Sequence, residues 1–165
     1  MDKQEYRELQ QFAANGGTKY FGRLYETIYR EMYYTAFYSL ADDADAVEAV
    51  ISAIRSGFSA IGRLHSERAF RLFMMKHLCS SIKVKFKEYA AEGRELRYNE
   101  NELRPNADGI DIKQEFNILP DTERLVCALY VGGKFRAEEI AQFTGMSAGA
   151  VKKNLSRALA AFELD

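Results

Sequence analysis

Lys152, Lys153 and Arg157 lie close together near the C-terminal end of a 165-residue sequence, and no acidic residue occurs between Ala148 and Leu159. Ammonium and guanidinium groups at this spacing can reach phosphate oxygens or the acceptor edge of guanine in duplex nucleic acid. The residues around them suit the same chemistry. Ser147 has the side chain of a helix N-cap, because its hydroxyl can accept from an orphan amide of the first turn. Ala148 and Gly149 are small enough to let a helix start approach a groove closely, and an exposed helix N-terminus favours a phosphate oxygen. Ser147, Ala148, Gly149, Lys152, Lys153, Ser156 and Arg157 are therefore the candidate contacts to duplex nucleic acid.

Positioning these groups requires a helix with two faces. Val151, Leu155, Ala158, Leu159 and Phe162 fall at i, i+4, i+7, i+8 and i+11, an apolar stripe opposite the basic one. Ahead of it, RAEEIAQFTGMS reads as a short helix over 137–143 with Ile140 and Ala141 inward, and then a turn. Gly145 can take the left-handed conformation that reverses the chain tightly. Helix, glycine turn, N-cap and a helix with one apolar and one basic face is the layout of a helix-turn-helix that reads DNA. The alternative is an αα-hairpin that merely packs. Three cations neutralising one phosphate each would give a salt slope of only about −2.7, so the module alone should bind weakly and need a larger partner.

Helical periodicity runs through the rest of the chain. Phe21, Leu24, Ile28, Met32, Ala36 and Leu40 predict a helix over 20–40, with an aromatic stripe of Tyr25, Tyr29, Tyr33 and Phe37 beside them. Ala41-Asp42-Asp43 breaks it, and a second helix over 44–61 would bury Val47, Val50, Ile51, Ile54, Phe58 and Ile61. A third, over 68–89, has Phe70, Phe73, Met74, Leu78, Ile82 and Phe86 on its apolar side. Residues 92–117 lose the pattern and contain Gly93, Pro105, Asn106 and Gly109. Leu119-Pro120 then opens a helix with Leu125, Val126, Leu129 and Tyr130 buried, closed by Gly132-Gly133. The expected fold is all-α: a helical domain over 1–91, a linker over 92–117 and a helix-turn-helix domain over 118–165.

Composition limits what such a chain can do. The net charge of −1 argues against coating nucleic acid by bulk electrostatics, but the charges are segregated. Arg68, Arg71, Lys76, Lys83, Lys85 and Lys87 occur without an acidic residue among them, whereas 92–115 carries seven acidic residues against four basic. Cys79 and Cys127 have no CxxC spacing, and His65 and His77 lack the spacing of a zinc site, so buried thiols and no metal are expected. No nucleophile–base pair, phosphate-binding glycine loop or paired carboxylates point to an enzyme or to a cofactor. The longest apolar run, Leu125–Val131, is too short to cross a bilayer, and the first residues lack an apolar signal core. A soluble, cytoplasmic, non-catalytic protein is expected.

Leu119-Pro120, Arg124 and EEIAQFTGMSAGAVKKNLSRAL resemble region 4 of the sigma-70 family of RNA polymerase factors. The family pattern there is LP, an arginine four residues on, EIA, a glycine turn, S-x-G-(T/A)-V-K and L-x-R-A. FGRLYETIYREMYYTAFYSLADDADAVEAV is similar to the start of region 2, and Phe70–Lys87 takes the place of the helix that meets the −10 element. Regions 2 and 4 in this order, without region 3, resemble the extracytoplasmic-function type. The resemblance spans about 20–87 and 119–162. It implies core RNA polymerase and promoter DNA as partners, an anti-sigma factor as a further one, and no membrane insertion. Asp45, Glu48 and Ile51 would meet polymerase. The loop 62–67, including His65, would hold an unstacked −10 base. Arg71, Lys76, Lys83 and Lys87 would serve the −10 side of the promoter, and the helix after Ser147 would read the −35 element. The sequence departs from the family at Val47 (commonly glutamate), Ile51 (glutamine), Phe73 (tryptophan) and Ser80 (asparagine). These departures motivate an alternative, a sigma-like DNA-binding regulator that does not itself start transcription.

Overall fold

The computed structural model describes residues 1–95 and 119–163, with side chains as far as Ala160. Among these residues the protein is all-α: α1 (Lys3–Ala14), α2 (Thr18–Tyr25), α3 (Tyr29–Leu40), α4 (Asp43–Ala60), a short 3₁₀ turn (Ile61–Arg63), α5 (Glu67–Glu92), α6 (Asp121–Val131), α7 (Ala137–Thr144) and α8 (Ala148–Glu163). No helix among them is long and apolar enough to cross a membrane. Most of the linker expected over 92–117 lies outside the described residues, as does the side chain of Phe162.

Side-chain caps and glycine stops set the helix limits. Asp2 caps α1 in a reciprocal box with Glu5, Asp42 caps α4 through the Asp45 amide, and Ser66 caps α5 through the Ala69 amide. Gly93 and Gly145, both at positive φ, close α5 and α7.

Three sequence expectations are corrected. The helix expected over 20–40 is two helices, because the Thr27 hydroxyl donates to the Leu24 carbonyl at 2.6 Å and the Ile28 amide bonds back to Tyr25 at 2.9 Å. That tight turn swings the fully buried Ile28 into the core and re-aims α3. In α4 the buried stripe is Ala46, Ala49, Val50, Ala53, Gly57 and Ala60, whereas Val47 and Ile51 are 37% and 40% exposed. Small residues on that stripe let α4 approach α5 so closely that a Cβ at Gly57 would lie 2.4 Å from the Met74 sulfur. In α6, Tyr130 is exposed and Cys127 and Ala128 are buried instead. An additional helix, α1, packs on α2 and on the 3₁₀ turn.

α5 is the spine. Phe70, Met74, Met75, Leu78, Cys79, Ile82, Phe86 and Tyr89 are buried along it, and it packs against α3, α4 and α7. α6 lies on α3, where Tyr38 and Ala41 meet Leu119, Cys127, Ala128 and Ala158. The apolar core is continuous from α1 to Val151 and Leu155 of α8.

The α3–α6 contact depends on Gly132, where a Cβ would sit 2.8 Å from the Tyr38 ring and 3.0 Å from the Tyr34 backbone. Overpacking of this kind costs about 1–3 kcal/mol. Gly132→Ala should lower the thermal midpoint by several degrees in a calorimetric scan. Gly149→Ala, with nothing within 4 Å of the new methyl, should leave it unchanged or raise it by helix propensity.

Candidate functional site

The helix-turn-helix is built from the turn outward. Glu139 accepts from the Arg136 amide at 3.1 Å and starts α7, whose Ile140 and Phe143 are buried. Phe143 meets Phe135 edge-on at 4.8 Å. At the other end Thr144 donates to the Ile140 carbonyl at 2.7 Å and accepts from the Met146 amide, and Gly145 reverses the chain at φ +78°. Ser147 then accepts from the Ala150 amide at 3.1 Å, so α8 starts from a capped, rigid point.

From there α8 buries Val151, Leu155 and Ala158 and presents its other side to solvent. Gly149, Lys152, Lys153, Ser156 and Arg157 are exposed, as is Ser147, and Ala148 is half-buried. Lys152 lies 3.9 Å from Glu138, and Arg157 lies 3.6 Å from Glu123 of α6. The Lys152–Glu138 pair is exposed on both sides and worth about 0–1 kcal/mol, whereas the Glu123 carboxylate is largely buried, so Arg157 is the more firmly held of the two cations. All seven candidate residues sit on one helix and its cap.

The second basic group divides. Lys76, Lys83 and Lys87 are exposed and fall within about 40° of arc on α5, at 100° per residue. Phe73 and Ser80 flank that stripe, and the Phe73 ring is half-buried and lies nearly parallel to His77 at 6.4 Å. Lys83 donates to the Thr144 carbonyl at 3.3 Å. Together with Lys87 it lines a cleft of about 330 Å³ against Asp121, Leu125 and Met146. The far end of the stripe thus abuts the helix-turn-helix. Arg71 is not on it: it lies on the other side of α5, half-buried, its guanidinium 3.4 Å from the Thr27 carbonyl. His65 is exposed in the loop before α5.

Two residues that hold this loop escaped the sequence reading. The Tyr6 hydroxyl of α1 donates to the Leu64 carbonyl at 2.6 Å, and Gln10 donates to the Ile61 carbonyl at 2.9 Å. The signal was present in Tyr6, Leu9, Gln10 and Ala13 at helical spacing behind the Asp2–Glu5 capping pair.

On α4, Glu48 and Ile51 are exposed along one face, with Val47 beside them. Val47 also lines a groove of about 440 Å³ with Tyr29, Tyr33, Tyr34 and Asp43. Asp45 turns toward α5, where the Tyr89 hydroxyl donates to it and Arg94 approaches at 3.4 Å. Lys85 joins Glu48 at 3.1 Å and Asp45 at 3.9 Å, and its pKa is raised chiefly by the Glu48 hydrogen bond. Burial, with Asp43 and Asp45 as acceptors, pushes the Tyr33 and Tyr89 hydroxyls well above the ordinary tyrosine value. Burial alone raises Cys127 to about 12, and it outweighs the nearby Lys83 to bring Cys79 to a similar value.

No protein-family model and no curated protein sequence matches the chain. Its fold does have a solved counterpart. The structure of CnrH in complex with the cytosolic domain of CnrY is similar with a TM-score of 0.68 at 18% identity, covering 97% of this chain and 96% of that one. The chain therefore shares the all-α fold of CnrH.

The acidic start of α4 makes a pH-dependent prediction. The Asp45 amide, and then Arg94 at 2.9 Å, hold the Asp42 carboxyl below the usual carboxylate range. A carboxyl depressed in the folded state adds stability above its unfolded value, and that stability is lost as pH falls through the folded one. In urea melts at pH 7 and pH 3.5, Asp42→Asn, which retains the cap but not the charge, should lose less stability on acidification than the unsubstituted protein. Asp42→Ala should cost about 1 kcal/mol at pH 7 through the lost cap.

Proposed function

We propose that the chain is a sigma-type transcription-initiation factor, a non-catalytic subunit that binds core RNA polymerase and directs it to −35 and −10 promoter elements. One observation carries the proposal: α8 seats its apolar side on the protein and turns a capped N-terminus with Lys152, Lys153 and Arg157 toward solvent. That is the arrangement a recognition helix needs to enter a major groove. Ser147, Ala148, Gly149 and Ser156 form the close-approach surface, and the cations supply phosphate and base-edge contacts.

The rest of the reading follows from placement. Lys76, Lys83 and Lys87 track the backbone near the −10 element, with His65 and the loop before α5 set to hold an unstacked base. Arg71, turned inward to Thr27, supports the α2–α3 turn instead. Glu48 and Ile51, with Val47, offer polymerase an acidic, apolar face. Asp45 organises that face from behind through Tyr89, Arg94 and Lys85. CnrH is solved with the cytosolic domain of CnrY, and a protein inhibitor of the same kind is proposed for this chain in the cytoplasm.

Geometry adds a requirement. Elements about 25 base pairs apart are separated by roughly 85 Å at 3.4 Å per pair. A compact body of 165 residues has a radius of gyration of only about 15 Å. Residues 1–91 and 118–165 must therefore act as two domains on the linker 92–117, with α6 leaving α3 when polymerase binds.

Run-off transcription with core polymerase on linear templates tests the reading. Lys152→Glu with Arg157→Glu should abolish promoter-specific product, and activity that survives removes the recognition helix from the mechanism. The half-buried Phe73, turned onto His77, favours the alternative of a regulator that does not open DNA. That alternative requires binding to a defined operator without co-purification of core polymerase.

A further inference from the structure

Resting on the base-capture reading above, we infer that Tyr6 and Gln10 of α1 are positioning residues that fix the loop before α5 for an unpaired promoter base. The loop is pinned from the inside at two carbonyls. Ile61 O receives the Leu64 amide at 3.1 Å and the Gln10 side chain at 2.9 Å, and Leu64 O receives the Tyr6 hydroxyl at 2.6 Å. All four residues are buried, Tyr6 to 2% and Gln10 to 6% exposure. Between and beyond these pins, Gly62, Arg63 and His65 face solvent.

The far end of the loop is fixed separately, by Ser66 capping α5 at the Ala69 amide. A segment held at Ile61, Leu64 and Ser66 has little freedom left in its backbone, so its outward groups are presented in one geometry. Preorganisation of this kind is what selects among small ligands, because a loop that samples several geometries accommodates several bases and separates their affinities less. Neither Tyr6 nor Gln10 reaches the outer surface, so each acts only through the loop. The two bonds join positions 58 and 51 residues apart. Helix formation in α1 alone would not require them. Gln10 is also an amide placed in an otherwise apolar core, where leucine would pack without needing a partner.

Tyr6→Phe and Gln10→Met remove the donors at nearly constant volume, singly and together. Two readouts separate positioning from general stability. Hydrogen exchange at the amides of 63–66 should accelerate about tenfold per bond removed, with the interior of α4 unchanged. Holoenzyme would then be used to select from fork-junction DNA with a randomised unpaired strand. Here the variants should flatten the preference at one unpaired position about tenfold, while binding to core polymerase and preference in the duplex −35 region persist. Gly132→Ala, destabilised elsewhere, should leave the unpaired preference unmoved. If the double variant does not fold, Tyr6→Phe alone carries the same two readouts. Unchanged exchange in the loop overturns the inference, and so does faster exchange with the preference intact. A wild-type holoenzyme with no preference in the unpaired strand would remove the base-capture reading itself, and the inference with it.

Discussion

Burial of α5 is the constraint from which the other positions follow. At 26 residues it runs about 39 Å, longer than any other helix among those described. Along its buried side it packs against α3, α4 and α7. A helix packed this way cannot rotate without exposing Phe70, Met74, Leu78 and Ile82 together. Its uncovered strip is thereby fixed, and that strip holds Lys76, Lys83 and Lys87. The Ser66 cap at one end and the Gly93 stop at the other set where the strip begins and finishes. Past the stop, Arg94 is held between Asp42 and Asp45 and lies over the Tyr89 ring, so the chain leaves α5 along a defined path.

Charge is arranged by the same logic. Lys85, on the opposite side of α5 from the lysine strip, is used inside the protein against Glu48, Asp45 and Glu88. A near-neutral total therefore conceals a division of labour. Cations facing α4 organise an acidic helix, and those on the strip and on α8 face outward. The Lys152–Glu138 pair, exposed on both sides, is weak, while Arg157 is anchored to the largely buried Glu123.

The C-terminal third was the most legible part of the sequence. Gly145 and Ser147 act through local backbone chemistry, and the Val151–Leu155–Ala158 stripe has one strong period, so each could be placed without knowing what packs against it. Where the reading failed, the deciding facts were non-local. Val47 and Ile51 are larger and more apolar than the alanines of α4, and hydrophobicity alone sends them inward. Distance to α5 sends Ala46, Ala53 and Gly57 inward instead, and no feature of α4 by itself states that distance. The break at Thr27 depends on a hydroxyl choosing a backbone carbonyl over solvent, which periodicity does not register. Tyr6 and Gln10 were missed because their partners lie more than fifty residues away.

That last failure bears on how the molecule works. The exposed cations of α8 can be read from composition and spacing because no internal packing decides where they face. The groups that position other parts of the surface have partners inside the protein, and these are buried tyrosine, glutamine and glycine. α8 takes its cap from Ser147 and its main contacts from α6 and α7, with Ala158 also in the cluster that includes Tyr38 and Ala41 of α3. The loop before α5 is different, since its shape is set by α1 across the whole first domain. The bonds that fix this loop, from Tyr6 to Leu64 and from Gln10 to Ile61, are internal to residues 1–91 and do not depend on α6, α7 or α8.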